Sequence, residues 1–124
     1  MSDKVSTSSV MVGNAGADGA GRTRGWFVGH FVSPPESPRR TDAVEVKWAI
    51  HAAGESRPNV ATGDETTTLS ILVGGAFRLV FQDSEVRLSR QGDYVLFPPG
   101  VPHTWTADED SIVVTVRWPS RPSR

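Results

Sequence analysis

The sequence predicts an all-β fold, and three observations support this prediction. Short segments rich in β-branched and aromatic residues recur along most of the chain, separated by Gly, Pro, Asp and Asn. Several of these segments alternate between apolar and polar residues with a period of two, which is the repeat of a β-strand. No segment has the apolar spacing of an amphipathic helix of useful length. Short strands at regular intervals are typical of a sandwich or a barrel.

About eight strands are predicted after residue 24. They lie at 25–32, 44–51, 66–73, 76–81, 85–88, 93–97, 103–106 and 111–118. The Pro-rich segment 33–40 is a loop, because proline fixes φ and has no backbone N–H to donate. Gly74 and Gly75 can supply the positive φ angles of a hairpin turn. A small closed barrel or a double-sheet jelly roll would limit the number of exposed strand edges.

The ends of the chain differ in composition from its centre. Residues 1–24 contain few sizeable apolar side chains, and residues 119–124 consist of Pro, Ser and Arg. Such segments cannot bury enough apolar surface to offset the entropy lost on ordering. We therefore expect disordered tails at 1–24 and 119–124 around one barrel domain at 25–118. A domain this small would gain stability from a second copy that covers part of its surface, so a homodimer is expected.

Composition and charge exclude several classes of function. The absence of cysteine excludes disulfides and thiolate sites. The 13 basic and 14 acidic residues give a net charge of −1, without a basic stripe for nucleic acid. The longest apolar run is far shorter than the ~20 residues that span a bilayer, and the N-terminus lacks the pattern of a secretion signal. We expect a cytoplasmic protein that binds neither nucleic acid nor membrane.

One segment narrows the choice of fold. Gly92, Pro98, Gly100 and His103 are spaced as in the second conserved motif of the cupin superfamily, G-x5-P-x-G-x2-H-x3-N, which the segment resembles. Only the final position departs, where Ala107 replaces Asn. The resemblance implies a cupin jelly-roll barrel, or double-stranded β-helix, with the His103 imidazole directed into it. The alternative is an ordinary hairpin whose His103 is exposed.

The first cupin motif is present only in outline. Gly54 and Gly75 match its ends, but Thr68 occupies the position of the family's glutamate, and no histidine falls at its two imidazole positions. Typical cupins bind Fe, Mn, Ni or Zn through three His and one Glu, and the resemblance implies one such divalent metal as one alternative. The candidate ligands here are His103 and Asp64. The other alternative is a pocket without metal, in which His103 forms hydrogen bonds or acts as an acid and base.

Further candidates follow from strand periodicity and from the resemblance. Residues on one face of a strand recur every second position, so Trp105 shares a face with His103. His51 faces either solvent or the barrel mouth, and His30 is more typical of a surface or a dimer edge. The candidate catalytic residues are His103 and His51. The candidate ligand-binding residues are Trp48, Arg57, Thr68, Phe77, Trp105 and Arg117.

These residues favour a pocket for a small molecule and leave three functions open. The first is an enzyme acting on a small organic acid or natural-product intermediate, in which Arg117 or Arg57 would bind the anion through its planar guanidinium. The second is a ligand-binding or regulatory cupin without catalysis. The third is a dimerisation module with a vestigial pocket. Fold alone does not distinguish among them.

Overall fold

The computed structural model describes residues 10–61 and 65–122, and it confirms the all-β fold class. Its strands are β1 (Trp26–Val28), β2 (Glu45–His51), β3 (Thr67–Gly74), β4 (Phe77–Phe81), β5 (Glu85–Leu88), β6 (Tyr94–Phe97), β7 (His103–Ala107) and β8 (Ser111–Trp118). A one-turn helix, α1 (Ala15–Asp18), and a 3₁₀ turn (Gly21–Thr23) precede them. The first strand is shorter than predicted because the chain turns at Gly29, where φ is +152° and a Cβ would lie 2.5 Å from the Phe31 ring.

The strands form the two antiparallel sheets of a jelly roll. One sheet has five strands in the order β1-β2-β8-β3-β6, and the other has three in the order β5-β4-β7. Between the sheets lies one apolar core, formed by Leu72, Phe77, Leu79, Leu88, Phe97, Ala107 and Val113. No helix in the described part of the chain is long and apolar enough to cross a membrane.

The five-stranded sheet turns its polar residues inward. On β2, Lys47, Ala49 and His51 face the interior, so Val46, Trp48 and Ile50 lie on the outer face. The same inversion holds on β3 and β8, whose inward positions include serine, threonine and arginine. Such an arrangement is stable only if the interior is a cavity in which these polar groups find partners, because a buried polar group without a hydrogen bond is costly.

The outer face of this sheet is correspondingly apolar. The register places Val46, Val116, Leu69 and Leu96 in one row across four strands, and Trp48, Val114, Ile71 and Tyr94 in the next. No outward position on β2, β8, β3 or β6 within these rows carries a charge. We call this surface the outer face. Helix α1 covers only part of it, with Gly16 packed against the Trp48 ring.

Residues 10–24, the described part of the expected N-terminal tail, have structure. Asn14 caps α1 by accepting a hydrogen bond from the backbone N–H of Ala17 (2.9 Å). The backbone N–H of Gly25 donates to the carbonyl of Gly19 (2.7 Å), and a Cβ at Gly19 would lie 2.6 Å from the Gly25 carbonyl oxygen. The segment is held by close backbone approach at glycines, which a count of apolar side chains does not detect.

The C-terminal boundary also differs from the expectation of a tail starting at residue 119. The side chain of Ser120 is buried, with only 1% of its residue surface exposed. Its backbone N–H donates to the carbonyl of Asp42 (2.8 Å), and its hydroxyl donates to the carboxylate of Glu45 (2.8 Å). The barrel therefore includes Ser120. A single polar residue is integrated here by hydrogen bonds, which composition does not reveal.

The turns at Gly75 and Gly100 allow a direct test of the fold. Both have positive φ angles (+98° and +81°), but a Cβ at Gly75 would lie 2.3 Å from the Asp110 carbonyl oxygen, whereas a Cβ at Gly100 meets nothing within 4 Å. Gly100→Ala should therefore cost about 1–2 kcal/mol of unfolding free energy from strain alone. Gly75→Ala should cost clearly more. Urea unfolding measures both, and equal losses would contradict the described packing at Gly75.

Candidate functional site

A cavity of about 640 Å³ opens between the two sheets and contains most of the predicted site residues. The five-stranded sheet supplies one wall, the three-stranded sheet supplies the opposite wall, and the motif segment Pro98–Val101 supplies part of the rim. The volume is within the range of sites that hold small ligands. The predicted residues that line the cavity are His51, Arg57, Thr68, Phe77, His103, Trp105 and Arg117.

His103 lies on the cavity wall at the start of β7, as the glycine-framed turn predicts. Its ring packs on the rings of Phe97 and Phe81, with centroid distances of 4.8 and 6.1 Å. Its Nδ1 is 3.0 Å from the carbonyl oxygen of Val101. A carbonyl oxygen can only accept, so Nδ1 carries the hydrogen. In the neutral ring, Nε2 then keeps the lone pair with which it can accept a hydrogen bond or a proton.

His51 also lines the cavity, which resolves its two predicted orientations in favour of the barrel. Its ring lies 4.3 Å from the Trp105 ring and 5.4 Å from the Phe77 ring, measured between centroids. Its Nδ1 is 2.8 Å from Oε1 of Glu55, which is four residues along the chain and half exposed. A carboxylate at this nitrogen orients the ring and favours the hydrogen on Nδ1.

Arg117 lies in the cavity wall and is held by a buried carboxylate. Its Nε donates to Oε2 of Glu45 (2.8 Å), and Glu45 is only 5% exposed. The other oxygen of Glu45 accepts from the hydroxyl of Ser120, which in turn accepts from the backbone N–H of His30 (3.0 Å). The Nδ1 of His30 lies 2.8 Å from the same hydroxyl. These contacts place a half-buried His30 in a hydrogen-bond network behind Arg117, inside a single chain.

Lys47 and Arg117 both approach the ring of Trp26. The guanidinium carbon of Arg117 lies 4.4 Å from the centre of that ring, and Nζ of Lys47 lies 5.6 Å from it, which are cation–π distances. Burial lowers the pKa of Lys47 below its ordinary value, and the positive charges of Arg117, Arg57 and Arg24 lower it further. The cavity therefore disfavours the charged form of this lysine.

Arg57 reaches the cavity from the loop that follows β2. This loop runs beside β7: the backbone N–H of Arg57 donates to the carbonyl of Trp105 (3.0 Å), and that of Ala61 donates to the carbonyl of His103 (2.8 Å). The Nε of Arg57 donates to the carbonyl of Asn59 (3.0 Å). The pairing of this loop with β7 explains how it brings a cation to the cavity.

The charge of the cavity wall is strongly one-sided. Five cationic side chains line it, and no aspartate or glutamate from residues 10–61 or 65–122 does so. Hydroxyl groups cover the wall between the cations and the apolar core. The cations are Arg22, Arg24, Lys47, Arg57 and Arg117, and the hydroxyl groups belong to Thr66, which precedes β3, and to Thr68, Ser70 and Thr115 of the five-stranded sheet. Arg22, Arg24 and Arg57 are exposed, and Arg117 is paired with Glu45. Positive charges grouped around an opening favour the approach of an anion.

Comparisons with known proteins agree with this architecture. KdgF from a Halomonas species is similar over 65% of this chain and 74% of its own, with a TM-score of 0.59 and 24% identity. An RmlC-like cupin from Shewanella frigidimarina is similar over 64% of this chain and 69% of its own, with a TM-score of 0.58 and 20% identity. A cupin superfamily protein from Desulfitobacterium hafniense aligns over 62% and 68%, with a TM-score of 0.57 and 19% identity.

The fold is that of a cupin. At these identities the similarity concerns the fold, and the site has to be interpreted from the residues of this chain. No protein-family model matches the sequence, and no curated protein does. The structural similarity to cupins confirms the fold that the resemblance of Gly92–His103 to the second cupin motif implied.

The described donors do not fit a cupin metal site. His103 contacts Phe81 at one end of β4, whereas His51 contacts Phe77 at its other end. Nδ1 of His51 is also engaged by Glu55. Within the parts of the chain that the structure describes, no three His, Asp or Glu side chains come together. The predicted ligand Asp64 lies outside the described residues.

One predicted ligand-binding residue is misplaced. Trp48 lies on the outer face, where its ring packs against Gly16 of α1, because β2 turns Lys47 and Ala49 inward. The sequence analysis missed several lining residues, notably Lys47, Trp26 and the two arginines of the 3₁₀ turn region, Arg22 and Arg24. Lys47 could have been found, since it shares a strand face with His51. The arginines carried no sequence signal of their position.

Replacing Ser120 tests the buried network. Ser120→Ala would leave the backbone N–H of His30 and one oxygen of Glu45 without their partner, so it should lower the free energy of unfolding by about 1–3 kcal/mol. Ser89→Ala, at an exposed position, is the matched control and should change stability by less than about 0.5 kcal/mol. Chemical unfolding measures both, and equal stability of the two variants would show that residue 120 belongs to a loose tail.

Proposed function

We propose that this protein binds a small organic anion, a carboxylate or phosphate ester, in the cavity of its cupin barrel. The observation that supports this most is the charge of the wall: five basic residues line it and no described aspartate or glutamate does, although Glu45 lies buried behind Arg117 and pairs with it. Arginine donates in a planar fork that suits carboxylate and phosphate oxygens. We also propose that the protein is cytoplasmic and that its partner is a small molecule.

The apolar side of the cavity supports an organic rather than an inorganic anion. Phe77 and Trp105 are stacked with a centroid distance of 5.3 Å, and His51 packs beside them. A ligand whose carboxylate reaches the cations could place its carbon skeleton against these rings. The Nε2 atoms of His51 and His103 could then accept a hydrogen bond from the ligand or exchange a proton with it, as the enzymatic alternative requires.

Binding can be tested with a panel of small acids. Acetate, malonate, benzoate and inorganic phosphate are titrated at constant ionic strength, and the melting temperature is compared with that in chloride. A specific ligand raises it by mass action. Arg57→Gln removes one charged donor from the wall and should weaken the strongest binder about tenfold to a hundredfold.

Arg90→Gln is the matched control, because Arg90 is 87% exposed in its side chain, lies outside the cavity and should not affect binding. If no organic anion raises the melting temperature above the chloride control, the proposal is wrong. Equal losses of affinity in the two variants would also contradict it, since they would indicate attraction by net charge alone.

A second proposal concerns the outer face, which we infer is where two copies of this chain associate. Ile50, Tyr94 and Leu96 are 69%, 64% and 54% exposed there, and the rows between them are apolar. Four strands along the length of β8 present an area of roughly 20 by 26 Å. This is a substantial part of the ~800 Å² per partner of a standard interface. An uncharged face is also compatible with a two-fold axis that apposes it to itself.

Charge insertion tests this association. Leu96→Glu should convert a dimer to a monomer in size-exclusion chromatography with light scattering, because the interface would have to bury a carboxylate. Val60→Glu is the matched control, since Val60 is 58% exposed but belongs to the loop after β2, and it should remain dimeric. A monomeric wild-type protein, or a Leu96→Glu variant that stays dimeric, would refute the proposal.

A further inference from the structure

The cavity contains an amine whose surroundings differ from those of the neighbouring arginines. Lys47 points inward from the middle of β2, and its stem passes Gly25, where a Cβ would lie 3.3 Å from the Lys47 Cγ. The Trp26 ring flanks its Nζ at 5.6 Å. The absence of a side chain at Gly25 thus leaves room for the lysine, and the indole limits where its amine can move.

The buried carboxylate of Glu45, which is close to this amine in sequence, pairs with other groups. Glu45 is two residues before Lys47 on the same face of β2, yet its oxygens pair with Arg117 and Ser120. Among the residues that the structure describes, no carboxylate lies within ion-pair distance of Lys47. Burial lowers the pKa of Lys47 below its ordinary value, and the charges of Arg117, Arg57 and Arg24 lower it further, so this ammonium group loses its proton more readily than an exposed one.

We propose that the Lys47 amine is a nucleophile that forms a reversible imine with the carbonyl group of an anionic aldehyde or 2-oxo acid bound in this cavity. The inference rests on the proposed anion binding and adds the chemical class of the ligand. A ligand with a carboxylate next to a carbonyl group suits this site, because the arginines can bind the carboxylate while the lysine attacks the carbonyl carbon. Desolvated lysines beside other cations are activated for this chemistry.

The register places hydroxyl-bearing residues next to Lys47 on the inner face of the sheet. Lys47 pairs with Thr115 across the β2–β8 ladder, and Thr115 pairs with Ser70 across the β8–β3 ladder. The two hydroxyl oxygens are 3.3 Å apart and both residues line the cavity. Such hydroxyls can hydrogen-bond the oxygen that leaves the carbonyl carbon, and they can relay the proton that it requires.

The step balances without an added oxidant or reductant. The lone pair of the neutral amine forms a bond to the carbonyl carbon, and the π electrons of the C=O bond move to oxygen. A proton passes from nitrogen to that oxygen, which gives a carbinolamine. The hydroxyl group then leaves as water together with the proton that remains on nitrogen, and the nitrogen lone pair forms the C=N bond of the imine. One amine and one carbonyl compound therefore give one imine and one water.

The chain is well suited to a trapping experiment because it contains only two lysines, Lys4 and Lys47. The full-length protein is incubated with glyoxylate, the smallest anionic aldehyde, and sodium cyanoborohydride supplies the hydride that reduces any imine to a stable carboxymethyl-amine. Nα-acetyllysine in the same solution reports the reactivity of an unperturbed amine. Peptide mapping by mass spectrometry separates Lys47 from Lys4 and from the terminal amine.

We expect Lys47 to be labelled at least about tenfold faster than Nα-acetyllysine at neutral pH, because a lowered pKa exposes more of the neutral amine. Labelling by acetaldehyde, which has no charge, should favour Lys47 less. Arg57→Gln should reduce the preference for glyoxylate, and Arg90→Gln should leave it unchanged. Lys47→Arg, which keeps the charge, should abolish labelling at this position while its melting temperature confirms that it is folded.

The outcomes separate this inference from the proposed function. If organic anions stabilise the protein but Lys47 is labelled no faster than Nα-acetyllysine, the nucleophile is refuted and anion binding stands. If acetaldehyde and glyoxylate label Lys47 equally fast and no anion binds, the amine is reactive but the ligand class is wrong. A Lys47 that neither reagent labels refutes the inference whatever the panel of acids shows.

Discussion

The ion pair between Glu45 and Arg117 is the interaction on which the cavity depends. It joins the first residue of β2 to the penultimate residue of β8. The Ser120 hydroxyl donates to the other oxygen of the carboxylate and accepts from the backbone N–H of His30. Without Glu45, the arginine of the inner wall would add an uncompensated charge to a wall that already carries four others. A buried ion pair contributes little net stability but is costly to break. Its effect here is to define where a guanidinium points.

The pairing also produces an asymmetry among the cations. Arg117 has a fixed orientation, between a carboxylate and the face of Trp26, whereas Lys47 shares the same indole without an acid of its own among the described residues. A guanidinium remains charged in such a setting, but an amine does not have to. Lys47 pairs with Thr115, two residues before Arg117 on β8, so the two basic groups are close in the sheet. They can nevertheless differ in chemistry, with Arg117 suited to binding an anion and Lys47 suited to act as a base or nucleophile.

Sequence reasoning predicted the fold well because its signals were local. The bounds of β5 were predicted exactly as observed, and the spacing of Gly92, Pro98, Gly100 and His103 identified the turn that brings His103 to the cavity. The placement of Trp48 failed for a general reason. Periodicity separates the two faces of a strand but does not say which face is inside, and in this sheet the apolar face is the outer one.

Other parts of the structure depend on contacts that composition does not reveal. Ser120 forms hydrogen bonds with Glu45 and His30, which are 75 and 90 residues away. The backbone of Gly19 lies close to that of Gly25 and accepts a hydrogen bond from its N–H. Neither contact has a local signature, so composition assigned both segments to tails. Arg57 was predicted to be near the pocket only because of the cupin resemblance. Its loop pairs with β7 through irregular backbone hydrogen bonds, which strand periodicity does not predict.

Two of the four tryptophans line the cavity, and the other two lie outside it. Trp26 and Trp105 line the interior, one beside the cations and one against His51. Trp48 lies outside beneath α1, and Trp118 is 39% exposed at the end of β8. Indole emission responds to nearby charge and to solvent. The chain thus carries its own optical probes, and single-tryptophan variants would let events inside the barrel be followed separately from events on its exterior without any attached dye.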